Sequence, residues 1–386
     1  MSRIFQAPIR RAAWVAMGAI AIGLGSCTST TTSEAGSPES ETATAPEDAL
    51  QVVTTFLPMT QFTTAVAGDR AEVVQLLPTN VGPHDYQATP GDAQAIANAD
   101  VLVKNGLEME FFLDDMIENA GNAELAIVDS SEGIATLESA GEHGHDHGEG
   151  EAHAEGDDHD HAEGEAHDHA EGEEHAEGEA HAEGDGHDHG EFDPHVWLDP
   201  KRAVEQVENI RDGLIAADPE GEADYTANAE AFIAELEILD ADITERLAPF
   251  EGQTFVVFHD FAAYFAESYG LESEYLVGIP EENPSPEDVK RVMEAVQAQG
   301  LKTIMTEPQA AQSSFDSIAG DLDINVSVFD PVATGDSSAV QPDYYLATMR
   351  QNADSLAASF EGSDQAWLPL WAALPVAALP QTYLRF

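Results

Sequence analysis

Outside one crowded segment this 386-residue chain has only three histidines, His84, His195 and His259. Each lies in a short polar-apolar stretch: Gly82-Pro83-His84-Asp85-Tyr86, Asp193-Pro194-His195-Val196-Trp197 and Val257-Phe258-His259-Asp260-Phe261. Neutral imidazole is the commonest metal ligand in proteins. Three imidazoles with one carboxylate make an N3O tetrahedral set, which suits Zn2+. Two acids compete for the fourth position: Asp330 in Val328-Phe329-Asp330-Pro331, and Glu307, which follows Thr303-Ile304-Met305-Thr306. Asp85 and Asp260 each follow a histidine, where a carboxylate can fix the ring tautomer through the nitrogen the metal does not use.

The remaining twelve of the 15 histidines crowd between residues 143 and 189: His143, His145, His147, His153, His159, His161, His167, His169, His175, His181, His187 and His189. They alternate with Asp, Glu, Ala and Gly, in units such as His-Ala-Glu-Gly and His-Asp-His, without a fixed period. The segment 141–191 has no apolar residue larger than Ala, so it cannot form a core and is expected to be a disordered loop. Its histidines form an auxiliary metal-collecting arm.

The elements that must position the three isolated histidines follow a strand–helix rhythm. Strands are expected at 51–56, 72–77, 101–103 and 125–128, alternating with helices at 59–67, 90–98 and 110–119. After Pro200 a helix runs to 217, and a longer one spans 222–247, with Tyr225, Phe232, Leu236, Leu239, Ile243 and Leu247 on one stripe. At ~1.5 Å per residue that helix reaches roughly 39 Å. The rhythm resumes with strands at 255–258, 274–279, 301–306 and 324–329, and helices at 261–269, 286–299, 309–319 and 343–360. Alternation of this kind predicts an α/β fold with mostly parallel sheets. The expected layout is an N-terminal lobe over 50–221, a linking helix over 222–248, a C-terminal lobe over 249–363, and a tail over 364–386. In parallel α/β sheets, ligands bind where loops converge at the carboxyl ends of strands. His84, His195, His259 and Asp330 all fall at such ends, so the metal site belongs in the cleft between the lobes.

The chain carries 74 acidic against 14 basic residues, a formal net charge of −60. A surface of that sign excludes nucleic acid as a partner and suits a saline medium. The N-terminus reads as an export signal: Arg3, Arg10 and Arg11 precede an apolar run from 12 to 24, too short to span a bilayer. The run closes in Leu24-Gly25-Ser26-Cys27, with Cys27 the only cysteine. Residues 1–27 are therefore expected to be a lipoprotein signal ending at the lipidated Cys27, and 28–49 a Ser/Thr/Pro-rich tether.

The motifs around His84, His195, His259 and Asp330, above all Asp193-Pro194-His195-Val196-Trp197-Leu198-Asp199-Pro200, resemble those of the metal-binding lipoproteins of ABC importers. Within that cluster A-I family the chain is most similar to the zinc-specific ZnuA type, which also carries an acidic His-rich loop before the second motif. The likeness covers about residues 50–360. It implies two α/β lobes bridged by a rigid helix, zinc as the transported ligand in the cleft, a monomer, and handover to an ABC permease in the cytoplasmic membrane. The manganese members resemble this pattern with glutamate at the third histidine position, so His259 argues for zinc. Some zinc members have a disulfide in the second lobe, which a single cysteine forbids.

Two further functions remain as alternatives. A zinc hydrolase would need an open coordination position and a general base, for which Glu307 or Asp260 are the candidates, and no His-Glu-x-x-His motif is present. A zinc buffer or adhesin would instead make the His-rich loop the working part.

Overall fold

The computed structural model describes residues 49–139, 190–278, 284–308 and 312–362, with the side chains of 85 and 312–316 left aside. Cys27, the tether up to residue 48, the twelve clustered histidines and the tail from 364 lie outside the described residues.

Short Val- and Ile-rich runs form β1 (Leu50–Thr54), β2 (Ala71–Gln75), β3 (Val101–Lys104) and β4 (Ala126–Asp129). Between them come α1 (Leu57–Ala67), α2 (Pro90–Ala97) and α3 (Leu113–Ala120). All pairings are parallel, in the order β2-β1-β3-β4. Helix α4 (Pro200–Ala217) then begins at the motif's closing Asp-Pro. Asp199 is its N-cap, accepting from the Lys201 amide, and Pro200 takes the first helical position, where no amide hydrogen is needed.

Helix α5 (Glu222–Leu247) follows. Its buried residues Tyr225, Ala229, Phe232, Leu236, Leu239, Ile243 and Leu247 recur every three or four positions. Helix α5 packs against α1, α4 and α9 (Pro342–Glu361). Helix α5 thus joins the first βα series to the second: β5 (Thr254–His259), α6 (Ala263–Ser268), β6 (Glu272–Val277), α7 (Pro286–Gln299), β7 (Thr303–Thr306), α8 (Gln312–Leu322) and β8 (Asn325–Val328). Here β5 pairs with β6, and β7 with β8, both parallel. Among the described residues these form two separate two-stranded sheets, and β7 lies beside β5 without pairing to it, so the strands follow one another in space as β6-β5-β7-β8. The fold is α/β with two lobes, as the strand–helix rhythm predicts.

Most element ends agree with the sequence expectation to within three residues. Helix α3 starts at Leu113 rather than 110, because residues 106–108 take positive φ and turn the chain there instead. Strand β5 extends to His259, pairing it with Val277, so the third histidine sits on the sheet's last rung.

One apolar cluster runs beneath both series, joining Phe56, Phe62 and Trp197 to Phe261, Phe329 and Tyr345. A smaller one, with Val256, Leu276, Val292 and Ile304, backs the second series alone. No helix among the described residues is long and apolar enough to cross a membrane.

Candidate metal centre

His84 lies in the single 3-10 turn Pro83–Asp85, beyond the carboxyl end of β2. His195 immediately precedes a second such turn, Val196–Leu198, and His259 ends β5. The three come together: one ring nitrogen from each lies within 4.8 Å of the others. The Nε2 atoms of His84 and His195 are 3.2 Å apart. Two nitrogens bound tetrahedrally to one zinc at 2.0–2.1 Å stand ~3.3 Å apart, so this spacing fits a shared ion.

Two of the rings are aimed by carboxylates. His195 Nδ1 is 2.7 Å from Asp193 Oδ1, and the same oxygen accepts from the His195 amide at 2.9 Å. His259 Nδ1 is 2.5 Å from Glu307 Oε1, on the first residue after β7. A proton held on Nδ1 by a carboxylate leaves Nε2 as the lone-pair donor, the usual arrangement behind a metal-bound histidine. His195, His259, Asp193 and Glu307 are each less than 5 % exposed, while His84 is half-buried at the mouth. The floor is aromatic, with Trp197 5.2 Å from the His195 ring and Phe261 4.8 Å from the His259 ring, between centroids.

Burial sets the protonation states. It pushes His195 well below the ordinary imidazole value, assisted by His259, so the ring is neutral at neutral pH. Burial also lifts the carboxyls of Asp193, Asp260 and Asp330, each to about 7.

The other expected acids fall as follows. Glu307 stands at the site but against His259 Nδ1. Asp330 is not within the three-imidazole group: its Oδ1 accepts from the Val332 amide at 2.8 Å. Asp260 is half-buried and close enough to Asp193 for that charge to raise its pKa. The Asp85 side chain is outside the described set. Asp193 was not among the expected residues, yet it bonds His195 twice. Its signal is the Asp-x-His spacing, which lets an aspartate close a local turn on the amide two residues on.

The chain matches the protein family described as "Zinc-uptake complex component A periplasmic", ZnuA, over residues 52–359. It belongs to the ZnuA family. Relatives of this ZnuA-family chain include "Zinc-binding protein AdcA" of Streptococcus pyogenes serotype M3, 30% identical over 326 residues, covering 84% of this chain and 58% of that protein. The chain therefore spans under two thirds of the AdcA relatives' length. The "High-affinity zinc uptake system protein ZnuA" of Bacillus subtilis is also 30% identical, covering 80% of this chain and 87% of that protein. "Manganese-binding lipoprotein MntA" of Halalkalibacterium halodurans is 28% identical, with 83% and 92% covered. Among solved structures, "Crystal structure of ZnuA" superposes with a TM-score of 0.62 at 25% identity, covering 81% of this chain and 99% of that one.

Proposed function

We propose that the protein captures Zn2+ outside the cytoplasm and delivers it to an ABC permease, as a binding protein without catalysis. The convergence of His84, His195 and His259 on one point, with two Nδ1 atoms tied to carboxylates, carries the reading. Imidazole nitrogen favours zinc over manganese, which prefers oxygen-rich sites. In this reading Glu307 orients His259, and Asp330, near enough to Glu307 to feel its charge, supplies the fourth ligand. With Glu307 committed to an imidazole, a hydrolytic general base there has no support. The lobes over 50–221 and 249–363 close on the ion, and the linking helix over 222–248 holds them in register. The export signal and the lone Cys27 support an acylated anchor; a Cys27→Ser protein that still pellets with membranes would sink that part.

Zinc competition titrations against a chelator test the main reading. His259→Glu should weaken zinc binding and shift preference toward manganese. Wild-type zinc affinity in that variant, measured with residues 141–191 deleted so they cannot mask the loss, would remove His259 from the site. Cells lacking the protein should take up less zinc from zinc-poor medium; unchanged uptake would favour a buffer over a transport receptor.

A further inference from the structure

The metal set does not account for one buried acid. Glu110 is 6 % exposed and, among the described residues, has no ion pair. Neutral donors hold it instead: the Thr55 hydroxyl at 2.8 Å, the Asn105 amide at 2.8 Å and the Gly106 amide at 3.2 Å. These donors come from the carboxyl ends of β1 and β3, adjacent strands in the sheet where its winding reverses direction. Even so, burial outweighs the three hydrogen bonds and the charge of nearby Lys104, and pushes the carboxyl up to about 7. A buried acid with no direct ion-pair partner works against stability, so its presence points to a task.

The backbone is bent to deliver that acid. Gly106, Leu107 and Glu108 all have positive φ, at 88°, 52° and 58°. The run reverses the chain, so that Glu110 reaches back to the amides of 105 and 106. Glycine is required at 106 because a Cβ there would come 2.1 Å from Asp129 Oδ1. Non-glycine residues at positive φ hold strain that the surrounding contacts must offset, a condition that collects at functional sites.

Glu110 fixes Asn105, and Asn105 touches the metal loop. The Asn105 side chain is fully buried and donates from Nδ2 to the Pro194 carbonyl at 3.0 Å and to the Gly106 carbonyl at 3.1 Å. Its Oδ1 accepts from Gln206 Nε2 at 3.0 Å, which also reaches Ser130 Oγ at 2.9 Å. Every donor and acceptor of the Asn105 amide is thus assigned, and the side chain has one orientation. Pro194 lies between Asp193, which aims the His195 ring, and His195 itself. Proline has no amide hydrogen, so its carbonyl is the only backbone group through which that residue can be held.

We propose that Asn105 and Glu110 are positioning residues for His195: the Glu110 carboxylate locks Asn105, and Asn105 holds the Pro194 carbonyl that sets where the ring points. This rests on the metal-site reading above. The network touches no metal ligand directly, acts from a different strand, and uses a carboxylate because one group must accept three converging donors. Glutamine would turn amide hydrogens toward backbone amides.

The test uses the full-length protein with one molar equivalent of metal. Zinc affinity is measured by chelator competition, and Co2+ is read by its visible absorption, as the difference from a His195→Ala protein. Asn105→Ala should raise the zinc Kd about tenfold, the low end of what outer partners of metal-binding histidines contribute, and should change the cobalt spectrum. Thr55→Val, which removes one donor and little volume, should move both in the same direction, with Thr55→Ser restoring them. If Asn105→Ala does not fold, the Thr55 pair decides. Variants that melt earlier but keep the wild-type cobalt difference spectrum, and wild-type zinc affinity when residues 141–191 are also deleted, would overturn the inference, since the network would then only stabilise the fold. A His195→Ala protein whose cobalt spectrum equals that of wild type, a readout the loop histidines cannot mask because they are common to both, would remove the metal-site reading itself, and this inference with it.

Discussion

In the proposed site Asp193 and Glu307 are not ligands; each lies against the Nδ1 of its histidine and so would decide which nitrogen can bind metal. Asp193→Asn and Glu307→Gln keep the volume but weaken the hold on Nδ1–H. Each should lower zinc affinity by about 10–100-fold while leaving the fold intact; chelator competition together with circular dichroism checks both halves. The pH dependence follows from burial. Asp193, Asp260 and Asp330, raised to about 7, are partly protonated at neutral pH in the metal-free protein. A nearby dication favours their ionised forms, so zinc binding should release protons, and affinity should rise with pH through 7. His195, whose pKa burial drives down, is already neutral in this range and adds little to the release. Calorimetry in buffers of different ionisation enthalpy counts the protons. Zero release at pH 7 would contradict this account of the three acids.

At the scale of elements, the stretch from Asp193 to Pro200 performs two jobs within eight residues. Its first half presents His195, and its second half starts α4. Asp199 is 1 % exposed; it caps the helix and pairs with Arg202 at 2.7 Å, while Arg202 reaches on to Glu267 at 2.6 Å. Asp199→Ala should cost about 2 kcal/mol, the upper end for a lost cap because a partly buried guanidinium also loses its partner. The effect should appear in denaturant midpoint, with zinc affinity of the folded protein nearly unchanged. A large affinity loss would mean that the cap also sets the histidine. Between Asp193 and Asp199 the same stretch is tied to the second βα series. Tyr264 donates to the Asp193 carbonyl at 2.7 Å, Tyr345 to the Trp197 carbonyl at 2.6 Å, and Trp197 Nε1 to the Pro331 carbonyl at 2.8 Å. The stretch carrying His195 is therefore held by the second βα series as well as the first.

Across the whole molecule, a net charge of −60 over 386 residues opposes compaction by self-repulsion. Salt screens it, since the Debye length falls from about 30 Å at 0.01 M to about 3 Å at 1 M. The melting temperature should rise with sodium chloride over that range, by more in the full chain than after deletion of 141–191, which contains 20 of the 74 acids. Melting independent of salt would show that the charges are already far enough apart not to interact.

By itself the sequence determined the α/β architecture, the long bridging helix and the three isolated imidazoles. Each of these is written in local signals: strand–helix alternation, a stripe at three- and four-residue spacing, and the scarcity of histidine outside 143–189. The partners of those imidazoles were decided only by tertiary structure. Glu307 is 48 residues from His259 and meets it because β7 lies beside β5. Asn105 is 89 residues from Pro194 and meets it at the carboxyl end of β3. Sequence spacing carries no record of such pairings, because which strand neighbours which is fixed by long-range burial, not by local pattern. Asp330 shows the same limit. Its motif marks it, beside Glu307, as a candidate fourth ligand, but whether its carboxylate turns to an ion or stays with the Val332 amide depends on the balance of charge and burial around it, which exists only once the chain has folded.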